Sequence, residues 1–435
     1  MLSKEENELL TRVGPDTPMG DTLRRYWMPA LLSWELPAPD CPPVRVKLLG
    51  EELVAFRDSS GRVGLLAELC PHRRASLWLG RNEADGLRCA YHGWKFDTTG
   101  QCVDQMNEPV SFAGRIKALA YPTCERGDIV WAYLGPREHT PPIPDFEYVR
   151  VPETHRSVTK VWEECNWVQA LEGGIDTSHA PILHRPLSAD AAGGNPVTSP
   201  LVRSSAPTLE LDHTDYGYRY FGVRSLDQED LYVRSYHFVM PFTQLRPNQV
   251  GRGGPRETVI SGHHWVPVDD YNCMVWNWSY SFGPAPLSES HREQSGMGNG
   301  HDAVDWTNEF RSFANRRNNW NIDRQIQATK NFSGILGTNT QDRAVQESMG
   351  AIVDRSQEHL GPADRAIMTT RQILLEAARA VREGRDPRGA QSTTYGQARA
   401  IDRILPRGGE NAWHDALAPE MNPDERGASL AGSTA

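Results

Sequence analysis

Two short stretches decide how the first third of the chain folds: Cys70-Pro-His72 and Cys89-Ala-Tyr-His92. Around them, between about residues 26 and 135, short runs of alternating apolar and polar residues are broken by Gly, Pro and Asp. Closely spaced runs of this kind, separated by turn residues, are typical of antiparallel β structure. The sequence therefore predicts a small all-β domain that presents one Cys and one His on each of two tight loops.

The arrangement of these four residues indicates a metal site. Structural zinc sites more commonly pair Cys with Cys in one loop and His with His in the other. One Cys and one His in each loop instead allows both thiolates to bind one iron and both imidazoles to bind the other, as a Rieske [2Fe-2S] centre requires. We therefore favour an iron–sulfur cluster over the two alternatives, a zinc ion and four ordinary core residues.

A second candidate metal site lies in Asp176-Thr-Ser-His179-Ala-Pro-Ile-Leu-His184. Two histidines and a carboxylate from elsewhere would form a 2-His-1-carboxylate site, which leaves positions open on Fe(II) for dioxygen. Residues five apart on an ideal helix point about 140° apart, so the imidazoles converge only if the helix is distorted or ends near Pro181. Asp176 is spaced to share a helix face with His179, which makes it a better outer partner than a ligand. Two ordinary histidines near a helix end are the alternative.

Composition excludes several classes of protein. The chain has 435 residues, 38% of them hydrophobic, and a formal net charge of -10. It is long enough for two or more cores, and no apolar run is long enough to span a bilayer. The negative charge argues against a general nucleic-acid binder. The polar, acidic start does not resemble a secretory signal, so we expect a cytoplasmic protein, and the odd number of cysteines does not look like a disulfide framework.

The chain divides into three predicted parts. Residues 1–25 form an N-terminal helix that packs on the larger domain, residues 26–148 form the small β domain, and residues 149–435 form the larger domain. The Pro-rich connector that starts at Thr140 marks the boundary.

The larger domain is predicted to combine a sheet with helices. Strand-like runs between about residues 199 and 282 predict an antiparallel sheet with hairpins. The chain from Asp302 onward is predicted to be helical, including an amphipathic helix at residues 363–382 that closes the domain surface. Residues 422–435 are expected to be poorly ordered. The predicted fold class is α+β, with an antiparallel sheet covered by helices in the helix-grip or START-like manner.

Taken together, these motifs resemble the Rieske non-heme iron ring-hydroxylating oxygenases, and in particular the oxygenase (alpha) subunits of the phthalate 4,5-dioxygenase-like group. Three stretches carry the resemblance: Cys70-Pro-His-Arg-Arg, Cys89-Ala-Tyr-His-Gly-Trp-Lys-Phe and Asn166-Trp-Val-Gln-Ala-Leu-Glu-Gly-Gly-Ile-Asp-Thr-Ser-His-Ala-Pro-Ile-Leu-His184. The likeness extends from the opening Glu-Glu-Asn-Glu-Leu-Leu to about residue 385, which is most of the chain.

The resemblance implies two iron centres, a [2Fe-2S] cluster and a mononuclear Fe(II). It implies these ligands: Cys70, His72, Cys89 and His92 for the cluster, and His179, His184 and Asp342 for the iron. Asp342 follows from the match of the segment Gln-Asp-Arg-Ala-Val-Gln-Glu-Ser to the family. From chemistry alone, Glu347, Asp354 or Asp323 would serve equally well.

The resemblance also implies an assembly and partners. His92 of one subunit would face Asp176 of the next, which would contact His179, so the electron path crosses a subunit interface. A head-to-tail ring closes such contacts, and a homotrimer is implied. The chain has no Gly-x-Gly-x-x-Gly dinucleotide fingerprint, so we expect an NAD(P)H-dependent reductase, a ferredoxin or both to supply the electrons.

A substrate pocket is expected above the iron, between the sheet and the metal helices. The residues predicted to line it are Phe238, Met240, Phe242, Trp276 and Trp278, with Arg203, Arg234 and Arg246 as anion anchors. Arginine suits this role because its guanidinium binds carboxylates in a bidentate manner. An ordinary place in the core or on the surface is the alternative for each of them.

Two other features border the predicted pocket. The adjacent His263 and His264 should point to opposite faces of a strand, and neither is assigned a metal role. Residues 284–301, rich in Ser, Gly and His, are predicted to form a mobile loop that covers the pocket.

Three functions fit these predictions. The first is dihydroxylation of an aromatic carboxylate such as a phthalate, with O2 as the oxidant. The second is a monooxygenase reaction that removes the methyl group of an aryl methyl ether as formaldehyde. The third, from another class, is a Rieske electron carrier with an inert extension. The second set of metal-binding residues argues against the third.

Overall fold

The computed structural model describes residues 2–187, 206–226, 229–250, 257–409 and 412–421. Across these ranges no helix is both long enough and apolar enough to cross a membrane. The predicted disorder of residues 422–435 and the position of Arg203 lie outside the described residues.

The first part of the chain forms three small antiparallel sheets, with strand orders β1-β11-β10, β2-β3-β4-β9 and β5-β6-β7-β8. Their bounds are β1 (Trp27–Leu32), β2 (Val44–Leu48), β3 (Glu51–Arg57), β4 (Val63–Ala67), β5 (Arg81–Glu83), β6 (Gly86–Arg88), β7 (Trp94–Phe96), β8 (Cys102–Gln105), β9 (Ala120–Tyr121), β10 (Thr123–Arg126) and β11 (Ile129–Tyr133). The all-β character predicted for this region is confirmed. A local core that includes Phe56, Leu66, Leu87 and Phe96 lies beneath the two Cys/His loops.

One large sheet dominates the rest of the chain, in the order β13-β14-β15-β16-β17-β18-β12-β20-β19, and β21 pairs with β15. Its strands are β12 (Arg156–Glu163), β13 (Thr208–His213), β14 (Gly217–Ser225), β15 (Asp230–Val239), β16 (Thr243–Asn248), β17 (Val259–Pro267), β18 (Cys273–Ser281), β19 (Val304–Asp305), β20 (Arg311–Ser312) and β21 (Asp402–Pro406). The predicted antiparallel hairpins are confirmed, whereas β16 and β21 were not predicted.

The helices are α1 (Lys4–Thr11), α2 (Pro18–Leu23), α3 (Glu147–Arg150), α4 (Trp167–Ile175), α5 (Ala180–Leu183), α6 (Glu289–Glu293), α7 (Arg324–Thr329), α8 (Thr338–Ser348), α9 (Arg365–Arg382) and α10 (Ala412–Met421). α4 packs on β16, β17 and β18 and contacts α8 and α9. α9 is anchored to the sheet where the Tyr218 hydroxyl donates to the Ala366 carbonyl at 3.0 Å. Helices therefore cover one face of the sheet, which confirms the α+β fold class.

Two sequence predictions about helices need correction. The N-terminal segment contains two helices, α1 and α2, because Gly14-Pro15 interrupts the first, and both pack on α9. Residues 302–330 are not mainly α-helical and contain turns, the short strands β19 and β20, a 3-10 segment at Arg316–Asn321, and α7. Five residues there, including Asn319 and Trp320, have positive φ angles between 50° and 59°, a conformation that ends an α-helix.

The other face of the large sheet packs against the small β region. Leu49 and Gly50 donate backbone hydrogen bonds to the carbonyls of Pro267 and Val268, at the end of β17. On the same face, the Tyr148 hydroxyl lies 2.9 Å from His264 Nε2. The two regions thus share one continuous core, which fixes the small region against the sheet.

Candidate metal centres

The chain between α4 and α5 explains how two histidines five residues apart converge. α4 begins at its N-cap Asn166, whose side chain accepts from the Val168 N–H, and it ends at Ile175. Asp176 is extended, and α5 is a single turn with His179 at its N-cap and His184 at its C-cap. The helix therefore ends before the first histidine, and one short turn brings the two imidazoles to the same side.

His179, His184 and Asp342 lie together. Asp342 Oδ1 is 3.4 Å from His179 Nε2 and 3.2 Å from His184 Nε2. The potential ligand atoms of the three residues all lie within 4.8 Å of one another. Two imidazole nitrogens and one carboxylate oxygen facing one point form a donor set that suits non-heme Fe(II). The structure thus brings together the three residues that the resemblance implied.

The other acidic residues considered for the third position have different partners. Glu347 accepts from the Glu164 N–H and from the Trp320 indole N–H. Asp354 caps a short 3-10 turn, and Asp323 caps α7. Of the four acidic residues considered, Asp342 is therefore the one whose carboxylate meets the two histidines.

Each histidine of the triad has an outer partner on its Nδ1 atom. His179 Nδ1 is 3.3 Å from Asp176 Oδ2, and His184 Nδ1 is 2.7 Å from Gln341 Oε1. Asp176 is itself held by the N–H and hydroxyl of Ser178, which donate to its Oδ1 atom. Both rings therefore direct Nε2 toward Asp342, and a partner of this kind commonly orients a metal-binding histidine.

The electrostatics of the triad favour a cation. Burial opposes protonation of His179, yet the carboxylates of Asp176 and Asp342 outweigh it and raise the pKa of this histidine to about 10. Burial alone would raise the pKa of Asp342, but His184 and His179 hold it well below its usual range. Two carboxylates around two imidazoles thus create a negative site in which a divalent metal ion would be stabilised.

The two Cys/His loops of the small region close in the same way. The Arg74 N–H donates to the Cys70 carbonyl at 2.9 Å, and the Gly93 N–H donates to the Cys89 carbonyl at 3.0 Å. Arg74 and Gly93 both have positive φ angles, so each loop turns back sharply after its histidine. The cysteines are buried and form no disulfide.

The imidazoles of these loops lie side by side. The ring centres of His72 and His92 are 4.5 Å apart, and His72 stacks on Trp94 at 4.3 Å. His72 Nδ1 is buried and has no hydrogen-bond partner. A buried, unpaired nitrogen is costly, so this atom fits a ligand of an iron ion better than an ordinary core position.

Comparison with known proteins decides the family. A model of the Rieske [2Fe-2S] domain matches residues 26–113, and a model described as LigXa C-terminal domain like matches residues 132–427. The phthalate 4,5-dioxygenase oxygenase subunit of Pseudomonas putida is 39% identical over 406 residues, which cover 88% of each chain. The chain belongs to the Rieske non-heme iron oxygenases. Its cofactors are therefore a Rieske [2Fe-2S] cluster and non-heme iron.

Other relatives of this Rieske oxygenase carry different names. The 3-chlorobenzoate-3,4-dioxygenase oxygenase subunit of Comamonas testosteroni is 37% identical, covering 87% of this chain and 89% of the relative. The 5,5'-dehydrodivanillate O-demethylase oxygenase subunit of Sphingobium sp. is 31% identical, covering 89% and 83%. Among solved structures, the NdmA QL mutant of Pseudomonas putida CBB5 with caffeine has the same fold, with a TM-score of 0.63 at 19% identity, covering 90% and 99%.

The triad of the Rieske oxygenase opens into a cavity of about 1030 Å³. Alternate residues of three strands face it: Gln244 and Arg246 from β16, Ser261, His263 and Trp265 from β17, and Val275, Asn277 and Ser279 from β18. Arg234 of β15 also borders the cavity. The two described arginines that were predicted to hold an anion therefore both lie at this cavity.

Most of the predicted apolar lining lies elsewhere. Phe238 is farther along β15, beneath α9, where its ring is 5.3 Å from that of Tyr218. Met240 lies past the end of β15. Trp276 is on the opposite face of β18, with the Lys160 ammonium 5.1 Å from its ring centre. Phe242 is also absent from the cavity, and only Trp278 of the predicted aromatic and apolar lining borders it.

The remaining predictions about the pocket concern the pair His263 and His264 and the segment 284–301. His263 faces the cavity, with Nδ1 2.9 Å from Asn277 Oδ1, and His264 faces the opposite side, as predicted. The segment 284–301 borders the cavity through α6 and the residues that follow it. Gln294 and Asn299 of this segment are buried and hydrogen-bonded, while its predicted mobility stays a prediction.

Sequence reasoning missed two buried residues of the site. Gln341 contacts His184, and the sequence shows it only as the residue before Asp342. Glu163 lines the cavity at the end of β12, where burial and the nearby Glu347 raise its pKa to about 8. Nothing in the sequence around Glu163 distinguishes it from the other acidic residues of the chain.

Proposed function

We propose that this enzyme is the terminal component of a multicomponent system that oxidises an aromatic carboxylate. The observation that carries the proposal is the convergence of His179, His184 and Asp342, with Asp176 on the outer nitrogen of His179. In this proposal the cluster is held by Cys70, His72, Cys89 and His92, and Fe(II) is held by the triad. Bound there, the cluster would supply electrons and the iron would supply the chemistry of dioxygen activation.

The role proposed for Asp176 is to position His179 and to couple the two centres. Its Oδ1 atom is already occupied by Ser178, so Oδ2 is the oxygen that faces the His179 ring. A carboxylate on Nδ1 fixes the proton there and leaves Nε2 for the metal.

Arg234 and Arg246 are proposed to bind the carboxylate of the substrate. Both border the cavity, and Asp402 near Arg234 and Asp342 near Arg246 act on them without forming an ion pair among the described residues. Arg234 Nη2 donates to the Pro247 carbonyl at 2.8 Å, which holds this guanidinium in place. A charged group at the cavity wall without an ion-pair partner favours an anionic ligand.

The names of the relatives support two reactions. Phthalate and chlorobenzoate, which appear in the names of the two relatives at 39% and 37% identity, are ionised aromatic acids. We therefore favour dihydroxylation of such a ring. The relative named as an O-demethylase, at 31% identity, supports O-demethylation of a methoxylated aromatic acid as the second candidate.

A homotrimer and an external electron donor complete the proposal. Tyr91 and Phe112 are exposed beside the Cys/His loops, and Ile182 and Val345 are exposed beside the triad. Contact between one apolar patch and the other patch of a neighbouring subunit would bring His92 toward Asp176, as head-to-tail closure requires. An NAD(P)H-dependent reductase or ferredoxin would reduce the cluster, and this need for NAD(P)H favours a cytoplasmic location.

The experiment is to measure iron and acid-labile sulfide per chain together with the EPR spectrum after dithionite reduction, and then product formation. We expect three irons to two sulfides, a Rieske-type signal, and O2-dependent hydroxylation of an aromatic acid. Formaldehyde release from a methoxylated acid would select the second candidate. Two irons to two sulfides after iron reconstitution, without product, would contradict the proposal and leave an electron carrier.

A further inference from the structure

The two histidines of the triad have chemically different outer partners. His179 faces the carboxylate of Asp176, whereas His184 Nδ1 lies 2.7 Å from the side-chain oxygen of Gln341. Gln341 is buried and adjoins Asp342 on α8. α8 therefore supplies both an acidic member of the triad and the partner of a histidine that lies far away in the sequence.

The hydrogen bonds of Gln341 fix which way its amide points. Gln341 Nε2 donates to the Ile335 carbonyl at 2.8 Å, and a carbonyl can only accept. The amide oxygen must then face His184. Because that oxygen also only accepts, His184 Nδ1 must carry a proton, and Nε2 of the neutral ring keeps its lone pair. That lone pair is directed to the side where Asp342 lies.

We propose that Gln341 is a positioning residue for His184, which holds its ring in the Nδ1–H tautomer and sets how tightly the triad retains iron. The inference rests on the proposed assignment of His179, His184 and Asp342 as iron ligands. A neutral amide withdraws less of the shared proton than a carboxylate does, so His184 would be the weaker donor of the pair. Loss of the amide oxygen should therefore affect the retention of the metal first.

The test is Gln341→Met in the full-length protein. Methionine has a similar length and volume but offers no comparable acceptor to Nδ1. We expect Fe(II) to dissociate roughly 10 to 100-fold faster into a colorimetric ferrous chelator. We also expect a change in the EPR spectrum of the ferrous site with nitric oxide as probe, while the ratio of cluster iron to sulfide stays the same.

Gln169→Met is the matched control. Gln169 is an equally buried glutamine whose Nε2 donates to the Gln346 and Gly350 carbonyls, and it contacts no member of the triad. Its loss should lower the melting temperature because the Gln346 and Gly350 carbonyls lose a donor and the Val353 N–H loses its acceptor. It should leave the rate of iron release and the nitric oxide EPR spectrum as in the wild type.

The outcomes separate this inference from the proposed function. If Gln341→Met releases iron at the wild-type rate with an unchanged EPR spectrum, the positioning role is wrong. Equal acceleration in Gln169→Met would assign the effect to packing and would also overturn it. If wild-type protein binds no iron beyond the cluster after reconstitution, the proposed function fails, and the inference fails with it.

Discussion

The two iron sites of this chain differ most in how they meet their surroundings. The Cys/His loops of the small region leave His72 and His92 half-buried beside exposed Tyr91. The triad residues are also half-buried, but they border a cavity, and both histidines have an outer partner within the chain. Imidazoles beside an exposed tyrosine suit exchange of electrons with another protein, whereas oriented imidazoles beside a cavity suit the placement of a substrate next to a metal ion.

The two sites are also held in place by different kinds of contact. The Cys/His loops are closed by local backbone hydrogen bonds at Arg74 and Gly93. The triad depends on α4, which Glu172 ties to Arg355 and Arg371 in a buried ion network. The first site is therefore a product of local turns and the second a product of tertiary packing, so substitutions should separate the two.

The largest effect is expected when a member of the triad is removed. His184→Ala should reduce the iron content from three to two per two sulfides and abolish O2-dependent product formation, because two remaining ligands hold Fe(II) poorly. Iron analysis with the dithionite-reduced EPR spectrum checks this, and the Rieske signal should stay unchanged. Loss of that signal would show that the two sites are not independent.

Asp176→Ala should separate metal content from turnover. We expect both iron centres to be retained, but turnover to fall 10 to 100-fold or more, since the partner that orients His179 and couples the centres is gone. The measurement is the single-turnover rate at which the reduced cluster is reoxidised in the presence of substrate and O2. An active variant with a normal rate would contradict the bridging role.

Arg246→Met should weaken substrate binding without loss of either metal. A charge-assisted hydrogen bond contributes about 1.5–3 kcal/mol, so KM for an aromatic carboxylate should rise roughly 10 to 100-fold with a smaller change in kcat. Arg219→Met is the control, because Arg219 is paired with Asp212 and does not border the cavity. An unchanged KM in Arg246→Met would place the anion site elsewhere.

The smallest effect is a pH dependence of stability from Glu163. Its pKa in the folded chain is about 8, raised by burial and by Glu347, so between about pH 5 and 8 the folded state keeps a proton that the unfolded state has released. The contribution of Glu163 to the free energy of unfolding therefore falls as the pH rises from about 5 to 8. Glu163→Gln should raise the melting temperature at pH 8.5 by a few degrees and change it little at pH 5. Equal melting curves at pH 8.5 would contradict it.

Sequence patterns predicted strands of the large sheet and the members of the triad for different reasons. Within the predicted strand-like runs, polar and apolar residues alternate over Thr208–His213, and this stretch is β13, because alternation reports local geometry. Asp342 required the family resemblance, since nothing local distinguishes it from Glu347. β16 was missed because Thr243–Asn248 is short and contains Pro247, which is unfavourable within a strand.

The lining of the pocket was predicted less well, because the alternation of residues along a strand does not tell which face of the sheet points to the cavity. Trp276 and Asn277 are neighbours on β18, and the periodicity alone allows either to face the cavity. Aromatic size favoured Trp276, but that face packs against Lys160. Gln341 was overlooked because its partner His184 is 157 positions away in the chain, a separation that only the tertiary fold can close.

The two histidines of the triad meet their partners at different stages of chain synthesis, because one partner is local and the other lies on α8. His179 meets Asp176 within the same stretch of chain, so this pair can form as soon as the segment turns. His184 acquires its partner and its acidic neighbour only when α8 arrives from the C-terminal part of the chain. Because the chain is synthesised from its N-terminus, the contacts of His184 with Gln341 and Asp342 form late. Iron would therefore bind only after most of the polypeptide has been translated.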